Sequence, residues 1–314
     1  MTAMKRYPFL PALVILVVLL VLNGAFQPRS VSVAGMTGLA KTYLALMLLA
    51  IGQTYVVYAG DIDLSAGAIV SLVNVSVVLL MEHWGGDGLS VLAAIAIGLA
   101  TGLACGLING VVVAALRLQA IVATFATSIF FMGLALHLMP VAGTPAPAAF
   151  WRTYGGRVLE VPFVFWAIIA LAALLTILAR TRLALQLLAV GDDAQGAYQS
   201  GLPATAIRIK GYALCGAFAA LAALCVTGDT ASGDPLVGGK MTLFSIAAVV
   251  LGGSALSGGH GTVVGSLIGA LIIGLIGSLV YFVGTPSEWQ NLVQGVAILL
   301  ALMAGILVGR KARA

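Results

Sequence analysis

The feature that most constrains this chain is a set of long apolar runs that do not alternate, such as LPALVILVVLLVL at 10–22 and FVFWAIIALAALLTILA at 163–179. A membrane β-strand would alternate apolar and polar with period two. An unbroken run at membrane depth needs every backbone polar group satisfied inside the segment, which a helix does. Of 314 residues, 61% are hydrophobic and 8% charged, against about 25% charged in soluble domains. A soluble core of this size cannot hide so much apolar surface. The reading is an all-α polytopic membrane protein, one transmembrane domain over 1–314, with bilayer lipid as its solvent.

Apolar segments fall at 9–26, 36–59, 65–81, 89–116, 119–142, 161–179, 209–228, 242–256, 261–284 and 290–308. These predict about ten transmembrane helices. The third and eighth are short for a core of ~30 Å and are expected to be broken or re-entrant. The start has the basic flank and apolar run of a signal peptide but no clear A-x-A site, so it reads as a retained first helix. With a cytoplasmic N-terminus, alternation puts Lys5, Arg6, Arg117, Arg180, Arg182, Arg208, Lys210, Arg310, Lys311 and Arg313 inside. Arg29, Lys41, Arg152, Arg157 and Lys240 fall outside. That asymmetry follows the positive-inside bias and predicts cytoplasmic termini. Two connections are long, an external one at 143–160 and a cytoplasmic one at 180–208. No basic patch is interleaved with aromatics, so nucleic acid is not an expected partner. Cys105, Cys215 and Cys225 sit in apolar segments and read as packing residues.

Gly98, Gly102, Gly106 and Gly110 recur every fourth residue, as do Gly261, Gly265 and Gly269. Such ridges let helix backbones approach closely in lipid. GDIDLSAG (60–67) can be laid on GGSALSGG (252–259), matching Gly60 to Gly252, Leu64 to Leu256, Ser65 to Ser257 and Gly67 to Gly259. Transporters often carry broken helices at corresponding places of an internal repeat.

Chemistry-bearing motifs are few. GGKMT at 238–242 lacks the first glycine of a P-loop and the hydroxyl residue after its lysine, so ATP hydrolysis and its cofactors are not expected on this chain. His83, His137 and His260 are scattered, which argues against a metal site. Mid-span charge is nearly missing, and coupled carriers generally need it. The uncharged intramembrane groups Gln53, Tyr55, Asn74, Asn109 and Thr127 are candidates to line a path for a polar solute. Asp61 and Asp63 are expected to cap the helix starting near Leu64, or to pin a broken helix that moves. Trp151, Arg152, Tyr154 and Arg157 in the outer loop combine aromatic anchors with charge, as interface hot spots do. In the inner loop, Gly191, Asp192 and Asp193 can start a helix of about two to three turns, and Gly201 followed by Pro203 stops it.

GDIDLSAGAIVSL (60–72) resembles the G-G-I-D-L-S-V-G signature of permease subunits in the ribose/xylose/arabinose/galactose ABC importer family. AVGDDAQGAYQSGLPATAIRIKGYALCG (189–216) is similar to that family's cytoplasmic stretch, and IAAVVLGGSALSGGHGTVVGSLIGALIIGLI (246–276) to its third motif. The chain departs at Asp61, at Asp192 and Asp193, and at Ser254 and His260. The resemblance covers roughly 36–308 and implies that Gly60, Asp61, Asp63, Leu64, Ser65 and Gly67, with Gly252, Gly253, Ser257, Gly258 and Gly259, form the family motif. It implies an importer of a monosaccharide or related polyol in the bacterial inner membrane, built from two permeases, an ATP-binding partner that holds ATP and Mg, and a binding protein. Trp151, Arg152, Tyr154 and Arg157 would receive the binding protein. Ala194, Ala197, Tyr198, Ser200 and Leu202 would meet the ATP-binding partner. The competing class is a secondary carrier or channel, which would need no ATPase.

Overall fold

The computed structural model describes residues 9–311, with the side chains at 31 and 304–311 left out of the description. Lys5, Arg6 and Arg313, and the side chains of Arg310 and Lys311, therefore lie outside the described residues. Ten helices follow the ten apolar segments: α1 (Leu10–Phe26), α2 (Val33–Tyr58), α3 (Ala66–His83), α4 (Gly88–Gly110), α5 (Ala120–Leu138), α7 (Phe163–Arg180), α10 (Ala204–Thr230), α11 (Met241–Leu251), α12 (Val263–Phe282) and α13 (Ser287–Lys311). Three short helices complete the set: α6 (Ala148–Gly155), α8 (Leu183–Asp192) and α9 (Ala194–Gln199). Among the described residues, seven helices are long and apolar enough to cross a membrane: α2, α3, α4 with its π turn Val111–Ala115, α5, α7, α10 and α12. The expected ten is thus approximate.

Local chemistry sets the ends. The Ser32 hydroxyl accepts from the Gly35 N–H at 3.1 Å to start α2, and Thr262 accepts from Gly265 at 3.0 Å to start α12. Each satisfies one otherwise orphaned N–H.

The expected broken segments resolve differently. With 18 residues, α3 is a full candidate span. With 11 residues, α11 reaches only ~16 Å, about half the hydrocarbon core. Ahead of α11, the chain pairs Ser232–Gly233 (β2) antiparallel with Thr144–Pro145 (β1), then descends along α3. There Asn74 Oδ1 accepts from the Asp234 N–H (2.7 Å), Ser71 Oγ from Gly238 (3.0 Å) and Thr242 Oγ1 from Gly67 (2.8 Å). Irregular backbone is tolerable at depth only with such partners.

The glycine ridge of α4 packs inside this chain. A methyl at Gly102 would strike the Gly216 carbonyl and Ala220 of α10, and one at Gly110 would meet Ile209. Gly98 faces Val77 of α3. Close backbone approach replaces the hydrophobic drive that lipid cannot supply. The second ridge holds only in part. Gly265 and Gly269 pack on α11, but Gly261 lies in the loop before α12, at φ +156° against Ser254 and Tyr58. The α12 N-cap at Thr262 excludes it from the helix. All three cysteines are free, and Cys105 and Cys215 are buried.

Candidate functional site at a junction of three glycine motifs

The three motifs meet at the end of the bundle where α2 stops. After Tyr58, the Gly60 N–H donates to Val57 O and the Asp61 N–H to Val56 O, with Gly60 at φ +80°. After Leu251, Gly253 (φ +87°) donates to Val250 O and Ser254 to Val249 O in the same pattern. Both are glycine-terminated helix caps. The structural equivalence is thus Gly60 with Gly253, one position later than the sequence alignment placed it. Gly252 is helix-like at φ −69°.

These two caps and the inner loop touch. The Gly259 N–H donates to the Tyr58 carbonyl at 3.2 Å. A methyl on Gly258 would sit 2.7 Å from the Gly60 nitrogen and 3.0 Å from Gly191 Cα. One on Gly191 would strike the Tyr58 carbonyl, and one on Gly259 would come within 2.9 Å of Asp192 Cα. Backbones this close leave no room for Cβ.

Neither acid of the GDIDLSAG loop caps α3, whose N-cap residue is Ser65, with no side-chain bond to the first helical N–H groups. Asp61 is held bidentately by Arg208, Nε to Oδ2 at 2.9 Å and Nη2 to Oδ1 at 2.8 Å. This ties the loop to the start of α10. Asp63 is fully buried, and its Oδ1 accepts from the Ser65 N–H (2.8 Å) and hydroxyl (2.7 Å). Asn109 of α4 donates to Ser65 Oγ at 2.6 Å. The Leu64 N–H donates to Thr124 Oγ1 at 3.0 Å, and that hydroxyl donates to the Ile62 carbonyl at 3.2 Å. In the amide orientation that satisfies both groups, Gln53 clasps the backbone of Asp63, donating to its carbonyl (3.2 Å) and accepting from its N–H (3.1 Å). The motif loop is therefore latched to α2, α4, α5 and α10 at once.

Most of the candidate path residues are enclosed within the bundle. Gln53, Tyr55, Asn74 and Asn109 are 0–3% exposed. Asn74 bonds the Thr227 hydroxyl at 2.7 Å as well as the descending strand. The Tyr55 ring lies 5.8 Å from that of Tyr58, and Thr127 donates to the Thr124 carbonyl at 3.1 Å. Helix packing in lipid uses polar side chains as internal ties, as Gln53, Asn74 and Asn109 do here, while the contacts of Tyr55 and Thr127 stay within their own helices. An open groove of about 560 Å³ runs instead between α3, α5 and the start of α11, lined by Leu64, Phe125, Ser128, Ile129, Gly239 and Thr242.

The inner loop holds two helices where one was expected. Asp193 stands between them, its Oδ1 accepting from the Gln195 and Gly196 N–H groups, both at 3.0 Å. It caps α9 as expected, and Gly201 (φ +80°) ends it. Asp192 instead closes α8. Of six residues, α9 is shorter than the two to three turns foreseen. Ala197 is buried and Leu202 is half-buried against the core. Ala194, Ser200 and Tyr198 are exposed, Tyr198 by 75%. In the outer loop Arg152 and Arg157 are exposed and Trp151 is half-buried. Tyr154 is buried, its hydroxyl donating to the Lys41 carbonyl at 2.9 Å, which removes it from any docking surface. Sequence reasoning did not pair Arg208 with Asp61. The available signal was that two charges so near apolar spans need each other.

The chain is thus a multi-pass helical membrane protein with a close-packed glycine junction at one end and an open groove along one flank. Residues 35–302 match the family described as branched-chain amino acid transport system / permease component, and the chain belongs to that family. It is 34% identical to the ribose import permease protein RbsC of Bacillus subtilis (strain 168), over 95% of this chain and 92% of that one. It is 32% identical to RbsC of Escherichia coli (strain K12), over 93% and 92%. It is also 32% identical to the autoinducer 2 import system permease protein LsrC of Yersinia enterocolitica, over 93% and 81%. No solved structure matches.

Proposed function

We propose that this chain is the permease subunit of an ATP-driven importer of a monosaccharide or related small polyol, in the bacterial inner membrane with cytoplasmic termini. Ribose and the autoinducer 2 ligand name the substrate class of its relatives. ATP and Mg belong to a separate ATP-binding subunit, a binding protein delivers the solute, and a second permease completes the conduit.

One observation supports the mechanism: the end of α8 rests through Gly191 and Asp192 on the Tyr58 carbonyl and on the Gly258–Gly259 loop, with Tyr198 of α9 exposed beside it. A partner gripping Tyr198, Ala194 and Ser200 pushes on a junction without slack. The push passes to the Asp61–Arg208 latch and to the loop before α12. Two discrete packings of such a junction suffice for alternating access, with energy drawn from the partner. The solute path is the groove beside Ser128 and Thr242, since the interior polar groups are already engaged. A second permease facing that groove closes it.

The test is co-purification. Tyr198→Asp, at an exposed position, leaves the chain folded and releases the ATP-binding subunit. A variant that retains the subunit at wild-type stoichiometry, with unchanged ATPase activity, refutes the placement of the coupling surface.

A further inference from the structure

Two cavities outside the junction adjoin each other on α6. The first, about 640 Å³, separates α7 from α2, α4 and α10, and its walls are almost wholly apolar, among them Leu44, Ile95, Ala167, Leu171 and Leu221. On α7 it extends from Phe163 to Leu174, which is ~16 Å of helix and close to half the hydrocarbon thickness. The second, about 420 Å³, shares Ala149 and Thr153 with the first and is lined by Arg152 and Arg157. Among the described residues neither arginine forms an ion pair, and Arg152 lies 5.4 Å from the centre of the Trp151 ring. The roof of the slot is fixed: α6 is tied to α2 by the Tyr154–Lys41 bond and by Lys41 Nζ donating to the Gly155 carbonyl at 2.9 Å.

An apolar slot one acyl chain deep, next to a second cavity lined by two arginines that form no ion pair, has the charge and polarity profile of an anionic glycerophospholipid. We propose that this chain holds one such lipid, with an acyl chain between α7 and α10 and the phosphate between Arg152 and Arg157. Arginine supplies the forked donors that phosphate oxygens accept. The bound chain fills the space that leaves α7 so lightly packed on the bundle, where 11% of its spanning window is buried. The same arginines were candidates for docking a binding protein, but the slot beneath them favours a lipid.

The test uses the full chain in detergent, stripped of lipid, with phosphatidylglycerol or phosphatidylcholine added and retention read by native mass spectrometry. One phosphatidylglycerol per chain is expected, held about tenfold more tightly than phosphatidylcholine. The double variant Arg152→Gln/Arg157→Gln loses that preference. Ala167→Phe, or Ala170→Phe at the more open edge of the slot, loses the bound lipid with the arginines intact. Inorganic phosphate does not compete, because it has no chain for the slot. Elution volume and melting temperature establish that each variant is folded. Undiminished retention in the arginine and slot variants overturns the proposal. So does displacement by phosphate alone, or an arginine variant that keeps its lipid and loses only binding-protein-stimulated ATPase activity.

Discussion

Arg208 reaches across 147 sequence positions to hold both carboxylate oxygens of Asp61, at 2.9 and 2.8 Å. Asp61 is buried and the arginine side chain is 27% exposed, so the pair is only partly screened. Removing one partner leaves the other charge facing a low dielectric, at a cost of about 2–5 kcal/mol. Asp61→Ala and Arg208→Ala should each lower the melting temperature of the purified chain. The double variant should lose less than the sum, because the stranded charge is then gone. Additive losses in this cycle would mean that the two side chains do not act as a pair.

The glycine junction makes a sharper forecast. Gly191→Ala places a methyl on the Tyr58 carbonyl, and Gly258→Ala crowds the Gly60 nitrogen. Overpacking of this kind costs about 1–3 kcal/mol, and backbone contacts cannot move aside as a side chain can. Both should reduce uptake strongly in vesicles at equal membrane levels. Gly38→Ala in α2, where a methyl meets nothing within 4 Å, should be neutral or slightly stabilising. Equal uptake in all three would separate transport from this junction.

Asn74 and Ser128 should behave oppositely. Asn74→Leu orphans the Asp234 N–H, a cost of about 1–3 kcal/mol that a thermal melt would register. Ser128→Trp fills the open groove and should block uptake at nearly wild-type stability. A stable Asn74→Leu protein, or normal uptake with Ser128→Trp, would reverse the assignment of tie and path.

The parts of this arrangement written in local chemistry could be read from the sequence. Non-alternating apolar runs marked the helices, because lipid demands internally bonded backbone. Asp193 marked the start of α9 and Gly201 its end, because caps depend on neighbours two or three residues away. That Gly102 lies in a close helix contact followed from the four-residue spacing, while its partner Gly216 did not. What could not be read depends on distant partners. A buried Asn74 and a path-lining asparagine look alike until the strand at 232–238 is laid beside α3. Ala197 and Tyr198 are adjacent, and only docking of α9 on the core decides that Ala197 turns in and Tyr198 out. The motif alignment was off by one because both candidate partners for Gly60 are glycine, and only the backbone shows that Gly253 shares its left-handed conformation.

Under the proposed function, ATP hydrolysis on a partner drives solute through this chain by way of α9. The most direct measurement is uptake of labelled ribose into proteoliposomes holding the chain with its ATP-binding subunit and binding protein, wild type against Tyr198→Asp. Uptake is predicted to require ATP and the binding protein, to ignore uncouplers, and to fall to background in the variant. Uptake without ATP that collapses with an ion gradient, or wild-type uptake by Tyr198→Asp, would contradict it.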